Sequence, residues 1–215
     1  MSLAPPDPAE PSARQAEILA AALDCMVADG DRFSMASVAR AASCSKETLY
    51  RWFGDRDGLL TATVRWQAAK VGWPQPLSGP ASHQAVRETL AAFAERWLAV
   101  ITGEASIGLN RLAVSHPGPA PEALGAIVLE NGPRAMAERL RPTFEAARAA
   151  GLIAYARFED AFSLFFGLVV RDTQIRLLLG EGDPPPPSAH AQRAREAADQ
   201  FLALAAPPPR EGDPR

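Results

Sequence analysis

Apolar positions recur along most of this chain at the spacing of a helix rather than a strand. Leu19, Ala22, Leu23 and Met26 fall at i, i+3, i+4 and i+7, one stripe on a helix over about residues 12–28. Val38, Ala39 and Ala42 give the inner face of a short helix over 35–42, and Leu49 and Phe53 that of a second over 46–53. A longer helix runs through Leu59, Leu60 and Val64 over about 55–71. Beyond residue 80 the stripes widen. The helix over 82–101 carries Leu90, Phe93, Trp97, Val100 and Ile101. Shorter and longer helices follow over 104–115 and 121–150. In 158–179, Phe158, Phe162, Phe165, Phe166 and Val169 line one face and Leu164 and Leu168 a second, so burial on most sides is expected. A last helix covers 189–206. Strand-type alternation between turn signals is absent, and the pattern predicts an all-α fold of about nine helices.

Local signals punctuate the pattern. Ser34 and Ser45 stand where N-caps are needed, and Gly30, Gly54 and Gly151 where helices stop. Asp55 can cap the fourth helix. Gly132-Pro133 and Pro142 predict kinks in the helix over 121–150. Pro5, Pro6, Pro8 and Pro11 make residues 1–11 a disordered arm. Pro74 and Pro76 break the chain near a domain boundary. The expected layout is an N-terminal head over 12–72, a larger helical domain over 81–206, and a disordered tail over 207–215.

Composition narrows the class. Apolar residues at 47% and charged residues at 22% fit a soluble globular protein. The longest apolar candidate, residues 161–170, is well short of the roughly 18 that a membrane helix requires. The first residues lack the basic start and apolar stretch of a secretion signal, so the cytoplasm is the expected compartment. Cys25 and Cys44 read as small packing residues. His83, His116 and His190 show no metal-ligand spacing, and no catalytic set or phosphate loop stands out. Neither an enzyme nor a resident cofactor is expected.

The stretch from Ser34 to Phe53 carries the functional signal. Two short helices joined by the tight Ser43-Cys44 connection match a helix-turn-helix. With Val38, Ala39, Ala42, Leu49 and Phe53 turned inward, Ser45, Lys46, Thr48, Tyr50 and Trp52 are left for the outer side. Short donors, a cation and polar-edged aromatics suit base edges, thymine methyls and phosphates. Between Ser34 and Arg56 the cations Arg40, Lys46, Arg51 and Arg56 outnumber the anions Glu47 and Asp55, inside a chain of net charge −3. A sequence-specific binder needs only such a local excess, because phosphate attraction is screened within about 8–10 Å. Glu47 would repel phosphate, so it either points away or helps reject wrong sites.

This segment resembles the TetR/AcrR family of regulators, whose signature runs Ala-x-x-Ala-Gly-Val-Ser-x-x-Thr-Leu-Tyr-x-x-Phe. Ala39, Ala42, Ser45, Thr48, Leu49, Tyr50 and Phe53 occupy the matching positions. Gly54 to Leu60 resembles the link into a fourth helix, with Arg56 where a phosphate-contacting lysine is usual. Ser43 departs from the family glycine, which is unfavourable if that residue has positive φ. Cys44 replaces valine. Pro121-Glu122, Gly132-Pro133 and Gly151-Leu152 resemble an AefR-like branch.

The resemblance implies a homodimer with two reading heads one DNA turn apart, a near-palindromic operator, and a cavity for a small-molecule effector. The expected DNA-binding residues are Ser34, Ser45, Lys46, Thr48, Leu49, Tyr50, Trp52 and Arg56. Candidates for the cavity are the polar Asn110 and His116 with Phe93, Trp97, Phe144, Phe162 and Phe166, aromatics that either pack the core or line a cavity for a flat or greasy molecule. Candidates for the dimer seam are Leu164, Leu168, Arg171, Ile175, Leu178, Phe201 and Leu202. The resulting expectation is a repressor released from DNA by its effector. The alternative is a helical dimer that binds a ligand or a protein and whose DNA head has decayed.

Overall fold

Polar caps and glycine stops delimit the helices of the computed structural model, which describes residues 11–29, 33–77, 79–115 and 123–208. The arm over 1–10, Gly30, His116 and the tail from 209 lie outside the described residues. Helix α1 spans Ala13–Asp29, α2 Met35–Ala41, α3 Lys46–Phe53 and α4 Arg56–Ala69. They are followed by α5 His83–Ile101, α6 Glu104–Ser115 and α7 Leu124–Leu129. A π-helical turn, Glu130–Arg134, leads into α8, Ala135–Ala149. Helices α9 Phe158–Val170, α10 Thr173–Leu178 and α11 Pro187–Leu204 complete the chain. No strand occurs among the described residues, as the all-α reading expected.

Two expected helices are each divided. Pro133 has no N–H to donate, and the backbone around it widens into the π turn, which separates α7 from α8. Pro142, by contrast, lies inside α8 without ending it. Arg171, at φ 47° and ψ −132°, leaves helical geometry between α9 and α10, an uncommon conformation for a residue with a Cβ. The caps are placed as expected. The Ser34 and Ser45 side chains accept from Ser37 N and Thr48 N, and Gly54 and Gly151 take φ of 78° and 70°. Asp55 Oδ1 accepts from Gly58 N at 2.8 Å at the start of α4.

The chain divides into two compact units, residues 1–67 with 108–128, and 68–107 with 129–215. In the first, Ile18, Leu19, Leu23 and Met26 of α1, Val38 of α2, Leu49 of α3 and Leu59 and Leu60 of α4 are buried. Residues 108–128 join this unit rather than the larger helical part assigned to 81–206 from sequence. At Gly108, α6 comes close to α1: a Cβ there would stand 2.7 Å from the Val27 side chain, which would have to shift.

In the second unit α5 packs along α11, and α8 and α9 complete the core. Rings dominate it. Phe144 lies 5.5, 6.0 and 5.0 Å from Phe158, Phe165 and Phe201, mostly edge-to-face or tilted. Trp97 gathers Phe93, Phe162 and Phe166 at 5.2–5.9 Å. Two arginines hold the chain as it leaves α4. Arg139 donates to the carbonyls of Ala68 and Gly72 at 3.2 and 3.1 Å, and Arg96 to those of Val71 and Trp73 at 2.9 and 3.1 Å.

Candidate nucleic-acid interface

Helix α3 owes its position to Leu49, which is fully buried, while the rest of the helix is partly or wholly exposed. A short helix with one anchor turns its remaining surface outward. Lys46, Glu47, Tyr50 and Arg51 are exposed, Tyr50 by 53%. Thr48 and Trp52 are half-buried. Leu49 therefore does not belong with the contact residues expected from sequence; it supports the helix from behind. Phe53 is also only half-buried, with its ring edge-on to Trp52 at 6.4 Å.

The serines have structural duties. The Ser45 hydroxyl accepts from Thr48 N at 3.2 Å and pairs with Thr48 Oγ1 at 3.1 Å, setting the first turn of α3. Ser34 is half-buried and shares a capping box with Ser37. Arg56 lies against Phe33 at 5.5 Å, donates to the Phe33 carbonyl at 3.5 Å and stays half-exposed.

Glu47 finds its role at the helix N-terminus. Its carboxyl is held below the usual carboxylate range, chiefly by a backbone N–H and then by the Ser45 hydroxyl. An anion in the first turn favours the helix through the exposed N–H groups there. The acidic residue on α3 thus has a local reason to be present.

The turn before α3 is where the sequence departs from its apparent pattern. Ser43 N donates to Arg40 O and Cys44 N to Ala39 O, the bond pair of a Schellman motif, with Ser43 in the left-handed position at φ 49°. A serine there carries roughly 1–2 kcal/mol of conformational cost that glycine avoids. Arg14 of α1, absent from the sequence-derived set, donates to both Ala42 O (2.7 Å) and Ser43 O (3.2 Å). No local signal in the sequence joins residues so far apart.

The other sequence-derived sites divide. Phe93, Trp97, Phe162 and Phe166 form one ring cluster, and Phe158 joins Phe162 to the neighbouring Phe144 cluster. Phe93, Trp97 and Phe144 are buried against other core residues. Asn110 belongs to the unit of α1–α3, and the rings belong to the other unit. Of the seam candidates, Leu164, Arg171 and Ile175 are exposed and Leu168 and Leu178 half-buried. Phe201 and Leu202 are corrected: both are buried inside the single chain by α5 and α9 packing, leaving no surface for a partner. Leu179, which the pattern did not single out, is 79% exposed beside Ile175.

Comparison with known proteins decides the class. The model of bacterial regulatory proteins of the tetR family matches residues 18–63, and that of the AefR-like transcriptional repressor C-terminal domain matches residues 88–205. The chain belongs to the TetR family. A TetR transcriptional regulator from Agrobacterium tumefaciens is 38% identical, with 90% of this chain and 94% of that one covered at a TM-score of 0.75. A TetR-family regulator from Mesorhizobium loti, at 22% identity, shares the fold over 89% of this chain and 96% of its own, with a TM-score of 0.67. So does the flavonoid-responsive regulator FrrA, at 24% identity, 91% and 98% coverage and a TM-score of 0.69. A search of curated proteins finds no match. This TetR-family protein is a DNA-binding, ligand-responsive transcriptional regulator, and its family is one of regulators rather than catalysts. No described helix is long and apolar enough to cross a membrane.

Proposed function

We propose that this regulator is a repressor which binds a near-palindromic operator as a homodimer and leaves it when a small molecule occupies the C-terminal part. The observation that carries the reading is the outer edge of α3. Lys46 and Tyr50 stand exposed on a helix whose only buried residue is Leu49. An exposed cation and phenol near the start of a recognition helix suit phosphates and base edges in a major groove. Ser45, Thr48, Trp52 and Arg56 extend that edge, and Ser34 marks where α2 meets the backbone.

The apolar outer residues of α9 and α10, Leu164, Leu168, Ile175 and Leu178, with Arg171 between them, support a twofold seam. The aromatic cluster around Trp97, with the half-buried Phe166 at its margin, supports a flat or greasy effector. A coupling of about 1–3 kcal/mol between effector and DNA would weaken operator binding about 5–150-fold. The protein would act in the cytoplasm, where its operator is.

The test is affinity for the duplex this protein selects from a random-sequence pool, at fixed salt. Lys46→Ala with Tyr50→Ala is expected to weaken binding about 100-fold, the combined order of a phosphate and a base-edge contact. The thermal midpoint should hold, since both side chains are exposed. Unchanged affinity would remove the reading.

A further inference from the structure

We infer that Arg14 is a positioning residue for DNA reading, a clamp that holds the helix-turn-helix turn in the geometry that aims α3. The inference rests on the regulator reading above and names a part of that machinery outside the helix-turn-helix itself.

Arg14 sits in the first turn of α1, with NH1 on Glu17 Oε2 at 2.6 Å. Glu17, one turn along the same helix, thus fixes the guanidinium in place. Its other terminal nitrogen, NH2, faces the turn and takes two acceptors, Ala42 O and Ser43 O. These two carbonyls belong to the peptide planes on either side of the Ser43 Cα. Their relative orientation is what φ and ψ of Ser43 define, so one guanidinium nitrogen pins both torsions. The residue so pinned is in the left-handed region without being glycine. Two residues later the Ser45 cap begins α3.

Chemistry favours the contact as well as geometry. Ala42 is the C-cap of α2, where carbonyls without helical partners carry the negative end of the helix dipole. A planar cation with several donors can bridge two such carbonyls, whereas a lysine offers a single compact charge. Without the clamp, only the two Schellman bonds hold Ser43 against relaxing toward negative φ. The α2–α3 angle would then lose its single value, and the exposed edge of α3 would meet the groove in a mixture of poses.

The test uses the full chain, the duplex it selects from a random pool, and four variants: Arg14→Gln, Arg14→Lys, Ser43→Gly and Arg14→Gln with Ser43→Gly. Arg14→Gln is expected to weaken binding about tenfold, the order set by losing a charged donor from two carbonyls. The slope of log affinity against log salt should stay as in the unmodified protein. Arg14→Lys should fall between, with an unchanged thermal midpoint, which keeps the test valid if the glutamine variant folds poorly. Ser43→Gly should bind normally and should bring Arg14→Gln back to within about threefold, because glycine holds the left-handed turn without help. A salt slope shallower by about one would make Arg14 a phosphate contact and overturn the clamp. So would a double variant as weak as Arg14→Gln alone, or full affinity in both Arg14 variants. Selection of no duplex by the unmodified protein would sink the regulator reading and the clamp together, whereas normal selection with indifferent Arg14 variants would sink only the clamp.

Discussion

In the unit that carries α3, Tyr50 is exposed and Trp52 only half-covered, whereas in the unit built on α5 and α11 the rings of Phe93, Phe144, Phe165 and Phe201 are fully buried. The same residue class serves opposite ends. Rings of the second unit are one another's partners, at centroid distances of 5.0–6.0 Å among Phe144, Phe165 and Phe201. Of those on α3, Trp52 meets the Phe53 ring edge-on and the Arg51 guanidinium, while Tyr50 stands 53% exposed. A recognition helix eight residues long has one buried anchor, Leu49, and it packs against α2.

That contrast can be broken most forcefully at the ring hub. Phe144→Ala removes a fully buried side chain in contact with Tyr155, Phe158, Phe165 and Phe201. A loss of about 3–5 kcal/mol in unfolding free energy is expected by urea titration. Preserved stability would mean that the cluster is loosely packed and its rings are available to a ligand. Leu49→Ala is the counterpart in the other unit. It should cost about 2–4 kcal/mol and reduce DNA binding through misplacement of α3, with its outer side chains intact. If binding fell while stability held, Leu49 would have to be counted as a contact after all.

These two substitutions also mark what the sequence could and could not tell. The caps at Ser34 and Ser45, the stops at Gly54 and Gly151, the buried stripe of α1, and Leu90, Phe93 and Trp97 of α5 follow from spacing and local chemistry, and each is found in place, while Val100 and Ile101 at the end of α5 are half-buried. The outer edge of α3 was legible for the same reason: a helix of known face leaves known residues over. Arg14 was not, because its acceptors Ala42 and Ser43 are nearly thirty residues away and are backbone atoms, which no side-chain pattern records. Aromatic candidates in the second unit were ambiguous in kind, since a ring that packs and a ring that lines a cavity obey one periodicity. Phe201 and Leu202 read as seam residues because the period of α11 gives its apolar side but not whether α5 or a second chain covers it. The division of the expected 158–179 helix at Arg171 turned on a backbone torsion, for which arginine gives no warning.

A smaller effect is expected where Arg139 holds residues 68–72 within the second unit. Arg139→Ala removes donors to Ala68 O and Gly72 O and a cation over Trp73 at 5.5 Å. A destabilisation of about 1–2 kcal/mol should appear, with hydrogen exchange quickened first at residues 68–73. Protection unchanged there would show that Arg96 alone suffices to hold this segment. The two regions would then differ further, the head depending on single anchors and the second unit on duplicated ones.

The smallest effect concerns a polar contact inside the second unit. His190 of α11 is buried, with Nε2 3.1 Å from Thr102 Oγ1 at the end of α5. The Thr102 hydroxyl donates to Leu98 O at 2.8 Å, so its lone pair accepts and the imidazole must donate from Nε2. Both the neutral and the protonated ring can do this. The hydrogen bond is therefore indifferent to charge, and the pH response comes from burial, which lowers the His190 pKa, opposed by the negative charge of Glu95. An unfolded chain binds this proton at the ordinary histidine value near 6.5, before the folded chain does. Stability is accordingly complete above about pH 6.5 and declines as the pH falls through that value toward the lower folded one. Urea midpoints at pH 7.5 and 5.5 should differ in this direction, and His190→Gln, which still offers Thr102 a donor, should reduce the difference. Carboxylates with lowered values, such as Asp199 beside Arg87 and Glu138 beside Arg141, respond at more acid pH and leave this window to histidine. An equal pH response in the His190→Gln protein would assign it to another group and leave the α5–α11 core as purely apolar in its energetics as its rings suggest.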